Sequence, residues 1–523
     1  MSAAKPWVAT PRRTTDVCII VEGCYPFVPG GVSGWIDWLI RSQPDTSFSI
    51  VSLWPAPDSA EARYAMPPNV LGFHPLYLQS YGDTPRQSVR TPREIDALAH
   101  SLQTFITQGG AEPLAKLSNV IARVDAEVPL SRVFNSPVAW DIAQRMYREA
   151  MPYGSFLHYF WAWRALLGGL FATLEFPLPN ANVYHTISTG YAGLLAARAA
   201  RETGRPSILT EHGIYTNERR IELLMADWVV DTLDRGHVLD DPRLDLRDMW
   251  ISAFEAYAKT CYEACDLVIT LYGDNQKVQQ TLGAVPNKSR VIANGIDIAR
   301  FGGLARAPDA ARPTMALIGR VVPIKDVKAY IAAAKMLRET VPDLQAYILG
   351  PLDEDPEYTA ECKALVTELG LESCIEFTGP VNITLYLPQI HVVVLTSLSE
   401  SQPLTLLEAG AAGIPFVATN VGSCREIIEG RADEVPSFGP GGIVTGLVAP
   451  SEIAAAVGEL LADHDKRRIW GENLRQRVQR YYTSEQAAAA YRELYQSLRE
   501  APGRQREQPA IAGRAPAMAR AGV

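Results

Sequence analysis

Short apolar runs recur along the chain, each followed by a Gly- or Pro-marked turn and an amphipathic stretch. DVCIIVE (residues 16–22) and FSIVSLW (48–54) are almost wholly apolar. A run that does not alternate in polarity predicts a strand buried on both faces of a parallel sheet. Helical periodicity over 32–41 lies between those two runs. The rhythm breaks from 55 to 150, where prolines and polar runs surround helical patches at 92–107 and 111–127. So long an interruption predicts an inserted subdomain or lid. Alternation resumes with a strand at 182–187, a helix at 190–203 and a strand at 206–210. A second, largely helical insertion is expected over 215–264, with the charged run Asp240-Asp241-Pro242-Arg243 on a solvated face. Strands at 266–271 and 290–293 follow.

The second half reads as a cleaner βα alternation. Strands are expected at 314–318, 345–349, 374–378, 391–395, 415–419 and 442–444, with helices such as 327–340 and 358–369 between them. Helices continue from 451 to about 499. The Ala/Arg/Gly/Pro-rich segment 501–523 is expected to be disordered. The expected organisation is an N-terminal domain over 1–295 with insertions near 55–150 and 215–264, a C-terminal domain over 296–480, a helix at 481–500 crossing back, and the tail 501–523.

Composition narrows the function classes. The 523 residues are 47% hydrophobic and 20% charged, an ordinary globular balance for two cores. Lys and Arg number 49 against 58 Asp and Glu, a formal charge of −9 that disfavours nucleic acid and anionic membranes as partners. Seven scattered cysteines suit a reducing compartment better than a disulfide framework. Cys261 and Cys265 share a helical face, but no second pair completes a zinc set. Residues 1–15 lack an apolar signal core. The aromatic stretch 156–176 carries Arg164 where a bilayer centre would fall, so it is expected to be a core helix, with an interfacial or partner-docking helix as the second reading. The expected location is the cytoplasm.

Chemistry concentrates after the run HVVVL at 391–395. Ser397-Leu398-Ser399-Glu400-Ser401-Gln402-Pro403-Leu404-Thr405-Leu406-Leu407-Glu408 places Glu400 in a strand-to-helix turn and Glu408 on the short helix expected at 404–412. Pro403 suits a first helical position. Helix N-termini at strand carboxyl ends favour anions. Gly319-Arg320-Val321-Val322-Pro323-Ile324-Lys325-Asp326 puts an arginine fork and a lysine point charge on another strand-end turn, a pair suited to a diphosphate. Gly30 and Gly31 follow the first strand, where backbone can approach a ligand without a Cβ. His185 and His212 close strands, and His212 is the stronger candidate. No Asp-x-Asp pair is placed to hold a metal. On one helix, carboxylates eight residues apart would be separated by about 12 Å, beyond the roughly 5–9.5 Å of glycosidase pairs. Because Glu400 lies in a loop, it is the otherwise idle Arg320 and Lys325 that argue against a glycosidase.

Gly30-Gly31-Val32, Asn294-Gly295-Ile296-Asp297, the Gly319–Asp326 turn and the Glu-x7-Glu pair, in that order along the chain, resemble the motifs of family 4 glycosyltransferases. The resemblance implies an α/β GT-B fold, two doubly wound Rossmann-like domains facing a cleft, with helical insertions in the N-terminal domain. It implies metal-independent, retaining transfer with no cofactor beyond the donor; the long N-terminal insertion, by its own resemblance to a polysaccharide-building member, implies a hexose or N-acetylhexosamine passed from a UDP-sugar to a growing exopolysaccharide. The implied catalytic residues are Glu400 and His212. Donor binding would fall to Arg320, Lys325, Glu408 on the ribose, Gly30, Gly31, Ser401, Leu404, and Val381 near the base. Pro403 stands where many members have glycine, and it deletes one N–H donor. Expected partners are the UDP-sugar, a polysaccharide acceptor and proteins of an inner-membrane synthase complex. By the residues alone, retention and inversion remain open, as does the identity of the base. Two other functions also remain open, a UDP-sugar epimerase and a non-catalytic UDP-sugar-binding scaffold.

Overall fold

The computed structural model describes residues 14–57, 61–79, 91–124, 134, 136–225, 245–304, 308 and 312–500. The charged run 240–243 and the tail 501–523 lie outside the described residues. The chain divides into two compact units. Unit 1 comprises 1–270, 276–290 and 492–523, and unit 2 comprises 271–275 and 291–491.

Among the described residues, unit 1 is built on a seven-stranded sheet of order β3-β2-β1-β4-β5-β6-β7. Its strands are β1 (Thr15–Glu22), β2 (Phe48–Trp54), β3 (Val70–Tyr77), β4 (Ala181–Thr186), β5 (Ser207–Glu211), β6 (Leu267–Thr270) and β7 (Ser289–Val291). β1 pairs in parallel with β2 on one side and β4 on the other, so strand order reverses between β1 and β4. In open α/β sheets ligands bind outside the carboxyl ends at such a reversal.

Two sequence expectations change here. The rhythm does not stop at residue 55, because Val70–Tyr77 forms a parallel edge strand on β2. Gly72, His74 and Pro75 hide it from pattern reading, and an edge position is where a sheet tolerates proline. The helical patches expected as an inserted subdomain or lid share the sheet's own core rather than forming a separate one. Leu98, Leu102 and Phe105 of helix Pro92–Gln108 and Ile142 and Met146 of helix Pro137–Ala150 join one apolar cluster with Cys18, Ile20 and Val51. Thr91 starts the first of these helices with a capping box closed by Glu94. Helix Leu246–Ala264 adds Ala253, Phe254 and Tyr257 to the same cluster.

The aromatic stretch forms the helix Phe156–Glu175, which buries Tyr159, Trp163, Leu166, Leu167 and Leu170. Its opposite side leaves Leu157 and Trp161 about three-fifths exposed (61% and 59%). Among the described residues no helix is long and apolar enough to cross a membrane.

Unit 2 carries a six-stranded parallel sheet of order β10-β9-β8-β11-β12-β13. The strands are β8 (Thr314–Ile318), β9 (Gln345–Leu349), β10 (Ile375–Gly379), β11 (Val392–Leu395), β12 (Phe416–Thr419) and β13 (Gly442–Thr445). The order reverses between β8 and β11, the two strands that lead into the Arg320–Lys325 turn and the Glu400 turn. One face is covered by helices Val327–Arg338 and Pro450–Ala462, the other by Leu404–Ala411 and His464–Tyr481. Gly410 permits the close approach of the last two, since a Cβ there would lie 2.8 Å from Val478 Cγ2. The final helix, Ser484–Glu500, begins in unit 2, and from Arg492 its residues belong to unit 1.

Candidate functional site

The reversal point of unit 2 gathers most of the candidate side chains. Two hydrogen bonds join the turns that follow β8 and β11: Thr396 Oγ1 donates to Lys325 O at 2.7 Å, and Leu398 N–H to Ile324 O at 2.8 Å. Across that seam the Lys325 ammonium donates to Glu400 Oε1, and Ser397 Oγ donates to the same oxygen at 2.7 Å. Both charged side chains are largely covered, 20% and 14% exposed. Screening there is weaker than at the surface, so a displaced Glu400 would leave a strong cation facing the turn.

Arg320, on the same turn as Lys325, is half exposed and pairs with Glu354 from the acidic loop after β9. That loop lies close because Val321 N–H donates to Pro351 O at 3.0 Å, and a Cβ on Gly350 would lie 2.1 Å from Gly319 O. Asp326 adopts φ 44° and caps helix Val327–Arg338 through Ala329 N–H. Together these contacts set an arginine and a lysine on one strand-end turn, each paired with a carboxylate that an incoming phosphate would compete with.

Ser401 lies against the next turn. Ser423 N–H donates to Ser401 O at 2.8 Å, and Gly422, at φ 52°, brings its backbone so close that a Cβ would meet Ser401 O at 2.1 Å. Pro403 sits one position earlier than expected, at the N-cap, because its ψ of 117° is extended rather than helical. Leu404 therefore opens the helix Leu404–Ala411 and is 40% exposed. Glu408 is about one turn into that helix. Burial raises its carboxyl above the ordinary value, and the charge of Arg300 partly offsets this. Val381 follows β10, half-buried against the apolar cluster on this face of the sheet.

In unit 1, Gly30 and Gly31 lead into helix Gly31–Arg41 after β1, and a Cβ at either glycine would meet no atom within 4 Å. Trp35 of that helix packs edge-on against His212, ring centroids 4.5 Å apart. His212 follows β5, its Nε2 is shielded and has no hydrogen-bond partner, and burial lowers its pKa to about 4. The glycine loop and His212, both candidates, thus meet through Trp35. Beside them, Glu211 accepts from Tyr262 OH at 2.7 Å and Gln279 Nε2 at 2.9 Å, and burial pushes its carboxyl up to about 7.

His185 is accounted for by packing. Nδ1 meets Tyr495 OH at 2.7 Å and Nε2 meets Thr210 Oγ1 at 2.9 Å, and burial, with a smaller contribution from His212, lowers its pKa to about 3. A histidine whose folded pKa lies below its unfolded value contributes stability that is complete above about pH 6.5 and lost as pH falls toward the folded value. Unit 1 is therefore expected to weaken between pH 6.5 and 4, by up to about 1.4 kcal/mol per pH unit from His185 alone. Denaturant unfolding of His185→Gln against the parent at pH 7 and pH 5 checks this, the variant showing the shallower loss.

Four participants carried no sequence signal. Arg300 lies just beyond Asn294-Gly295-Ile296-Asp297, Glu354 between the expected strand at 345–349 and the expected helix at 358–369, Trp35 in the expected helix at 32–41, and Gln402, whose Oε1 accepts from Asn294 N–H, inside the motif without an expected role of its own. Among the described residues no group of three or more His, Cys, Asp or Glu side chains could hold a metal ion.

Comparison with known proteins bears on both units. The model of the family described as Domain of unknown function (DUF3492) matches residues 15–287, and that described as Glycosyl transferases group 1 matches 306–477. A D-inositol 3-phosphate glycosyltransferase of Corynebacterium urealyticum is 28% identical over 253 residues, 45% of this chain and 57% of that protein. The chain thus spans little more than half the length of that relative. Among solved structures, sucrose-phosphate synthase of Thermosynechococcus elongatus aligns over 93% of this chain and 99% of its own, with TM-score 0.56 and 16% identity. Anabaena HepE in complex with UDP aligns over 92% and 99%, with TM-score 0.55 and 14% identity. At such identities the likeness shows the fold, and that fold is GT-B: two Rossmann-like units with parallel sheets of seven and six strands.

Proposed function

The chain belongs to the family described as Domain of unknown function (DUF3492) and carries a glycosyl transferases group 1 domain, and from that premise we propose that it is a nucleotide-sugar-dependent glycosyltransferase. The observation that carries the reading is the Lys325–Glu400 pair at the strand-order reversal of unit 2, with Arg320 on the same turn. Cleaving the anomeric C–O bond leaves charge on a diphosphate, and fixed cations stabilise it best where water is scarce. In this reading Arg320 and Lys325 hold the diphosphate and Glu408 accepts the ribose hydroxyls. Glu400, released from Lys325 by the phosphate, turns to the sugar. The N–H groups at Ser401 and Leu404 face the phosphate and sugar, and the backbone at Val381 takes the base. Within unit 1, neutral His212 and the backbone at Gly30 and Gly31 are the groups suited to a sugar and a phosphate. No metal or other cofactor is required.

The donor is proposed to be a UDP-hexose or UDP-N-acetylhexosamine, the acceptor a growing exopolysaccharide and the outcome retention. UDP, the ligand of the HepE structure, is the natural first probe. The N-terminal insertions resemble those of PelF, the cytosolic glycosyltransferase of Pel exopolysaccharide synthesis, which supports the acceptor class and a cytoplasmic location beside inner-membrane partners.

Calorimetry with UDP, GDP and ADP tests the reading. One nucleotide is expected to bind clearly better than the others, and Arg320→Ala should weaken it about 30-fold, the worth of one charge-assisted pair. Binding of none of the three would refute the assignment. Conversion of a UDP-sugar with no acceptor would identify an epimerase instead.

One observation favours a scaffold role as the second reading. Trp140, Leu157 and Trp161 are exposed on neighbouring helices of unit 1, and Tyr153 is exposed in the turn between those helices, apolar area of the kind that marks a docking surface. Nucleotide binding without turnover in the presence of any acceptor would move that reading to the front.

A further inference from the structure

Gln402, between Glu400 and Pro403, joins the donor turn to a distant segment of unit 2. Its Oε1 accepts from Asn294 N–H at 2.6 Å, a buried contact between positions 108 residues apart in the chain. Asn294 opens the segment that leads from unit 1 into unit 2, and this segment is held firmly. Ile296 N–H donates to Tyr482 O at 3.0 Å, and Ser484 N–H donates to Ile296 O at 2.9 Å. A Cβ on Gly295 would lie 2.1 Å from Thr483 O, so only glycine fits. Thr483 immediately precedes the helix that carries the chain back to unit 1. The donor turn, the outgoing passage and the returning passage are thus linked in series through one amide.

The same amide is incompletely used. Gln402 Nε2, Asn294 Oδ1, Ser401 Oγ and Ser423 Oγ are all shielded from solvent and without a hydrogen-bond partner. They belong to two bonded pairs of residues, Ser401 with Ser423 and Gln402 with Asn294, which adjoin in the chain at Ser401-Gln402. A buried polar group left half satisfied destabilises the fold, and an apolar side chain of the same size would avoid the penalty. Such a group is a reasonable mark of a functional demand.

We propose that Gln402 is a positioning residue that transmits occupancy of the donor turn to the segment Asn294–Ile296. The inference rests on the donor site assigned above. When a nucleoside diphosphate engages the turn and frees Glu400 from Lys325, the backbone at Ser401 and Gln402 shifts. The Gln402 carbonyl passes that shift to Asn294, and the bonds at Ile296 pass it to Tyr482 and Ser484. Only the carbonyl half is needed for the first link, so a carboxylate can replace it and a thioether cannot.

The test is amide hydrogen exchange on the full chain, with whichever of UDP, GDP and ADP binds best in calorimetry. In the parent, the nucleotide should slow exchange over 294–296 about 10-fold. Gln402→Met should bind the nucleotide within about 3-fold of the parent but lose that slowing, and Gln402→Glu should regain it. Equal slowing in the parent and in a folded Gln402→Met would overturn the proposal. So would a folded, nucleotide-binding Gln402→Glu without slowing, an arm that holds even if the methionine variant fails to fold. If the parent binds no nucleotide, the donor-site reading itself falls, a result distinct from binding without coupling.

Discussion

Lys325→Ala is expected to lower kcat/KM for sugar transfer about 10³-fold, at the upper end of what one transition-state contact supplies. Three features put it above Arg320→Ala. Lys325 is 20% exposed where Arg320 is 51% exposed, so its charge acts with less screening. Its removal also strands Glu400, which would keep only the Ser397 hydroxyl as a described partner and would oppose the diphosphate instead of releasing to the sugar. Finally, it sits at the seam between the two turns at the reversal of the sheet. Adding Glu400→Gln should return part of the nucleotide affinity while leaving turnover low. Strict additivity of the two substitutions in binding would count against a shared site. Steady-state kinetics and calorimetry on the two single variants and the double variant, each checked by thermal melting, measure all of this.

Arg477→Ala is expected to be the most damaging single change to the stability of unit 2, by about 3–5 kcal/mol. The Arg477 guanidinium is wholly buried and its partner Glu434 is 2% exposed. It donates to both carboxylate oxygens, at 2.5 and 2.8 Å, and to the carbonyls of Ile427, Ile428 and Gly439. Removing it leaves a buried carboxylate and three carbonyls without that donor. Burial works to raise the Glu434 carboxyl, but the hydrogen bonds and charge of Arg477, with the Phe438 N–H, bring it below its ordinary value. A depressed folded pKa means stability present above the unfolded pKa near 4.5 and lost as pH falls through the folded value. The variant should melt roughly 10 °C lower at pH 7, and this difference should shrink toward pH 3. A Tm unchanged at pH 7 would show that the pair contributes nothing net.

How much of this was legible in the sequence differs between the units. In unit 2 each apolar run became a parallel strand within a residue or two of its expected bounds, because most of those strands are buried on both faces and read as short, nearly continuous apolar runs. In unit 1 the edge strand Val70–Tyr77 escaped, since an edge needs neither continuous hydrophobicity nor a full set of N–H donors. The helices between 92 and 150 were visible as helices but not as core, because periodicity shows that a face is apolar without saying what covers it. At the site, residue types placed an arginine and a lysine on one strand-end turn. Their pairing with Glu354 and Glu400 could not be read, because the partners come from turns 34 and 75 positions away.

Local order thus determined the alternating elements, the two Rossmann-like units and the strand-end turns on which the charged side chains sit, because burial, periodicity and turn chemistry act over a few neighbouring residues. Only the tertiary structure decided which strands flank the reversal of each sheet, and hence which turns meet. It also separated His212, with an unpartnered nitrogen beside Trp35, from His185, closed in by Tyr495 and Thr210. Those outcomes depend on contacts between residues tens to hundreds of positions apart, which the packing of the sheets selects and no local pattern encodes.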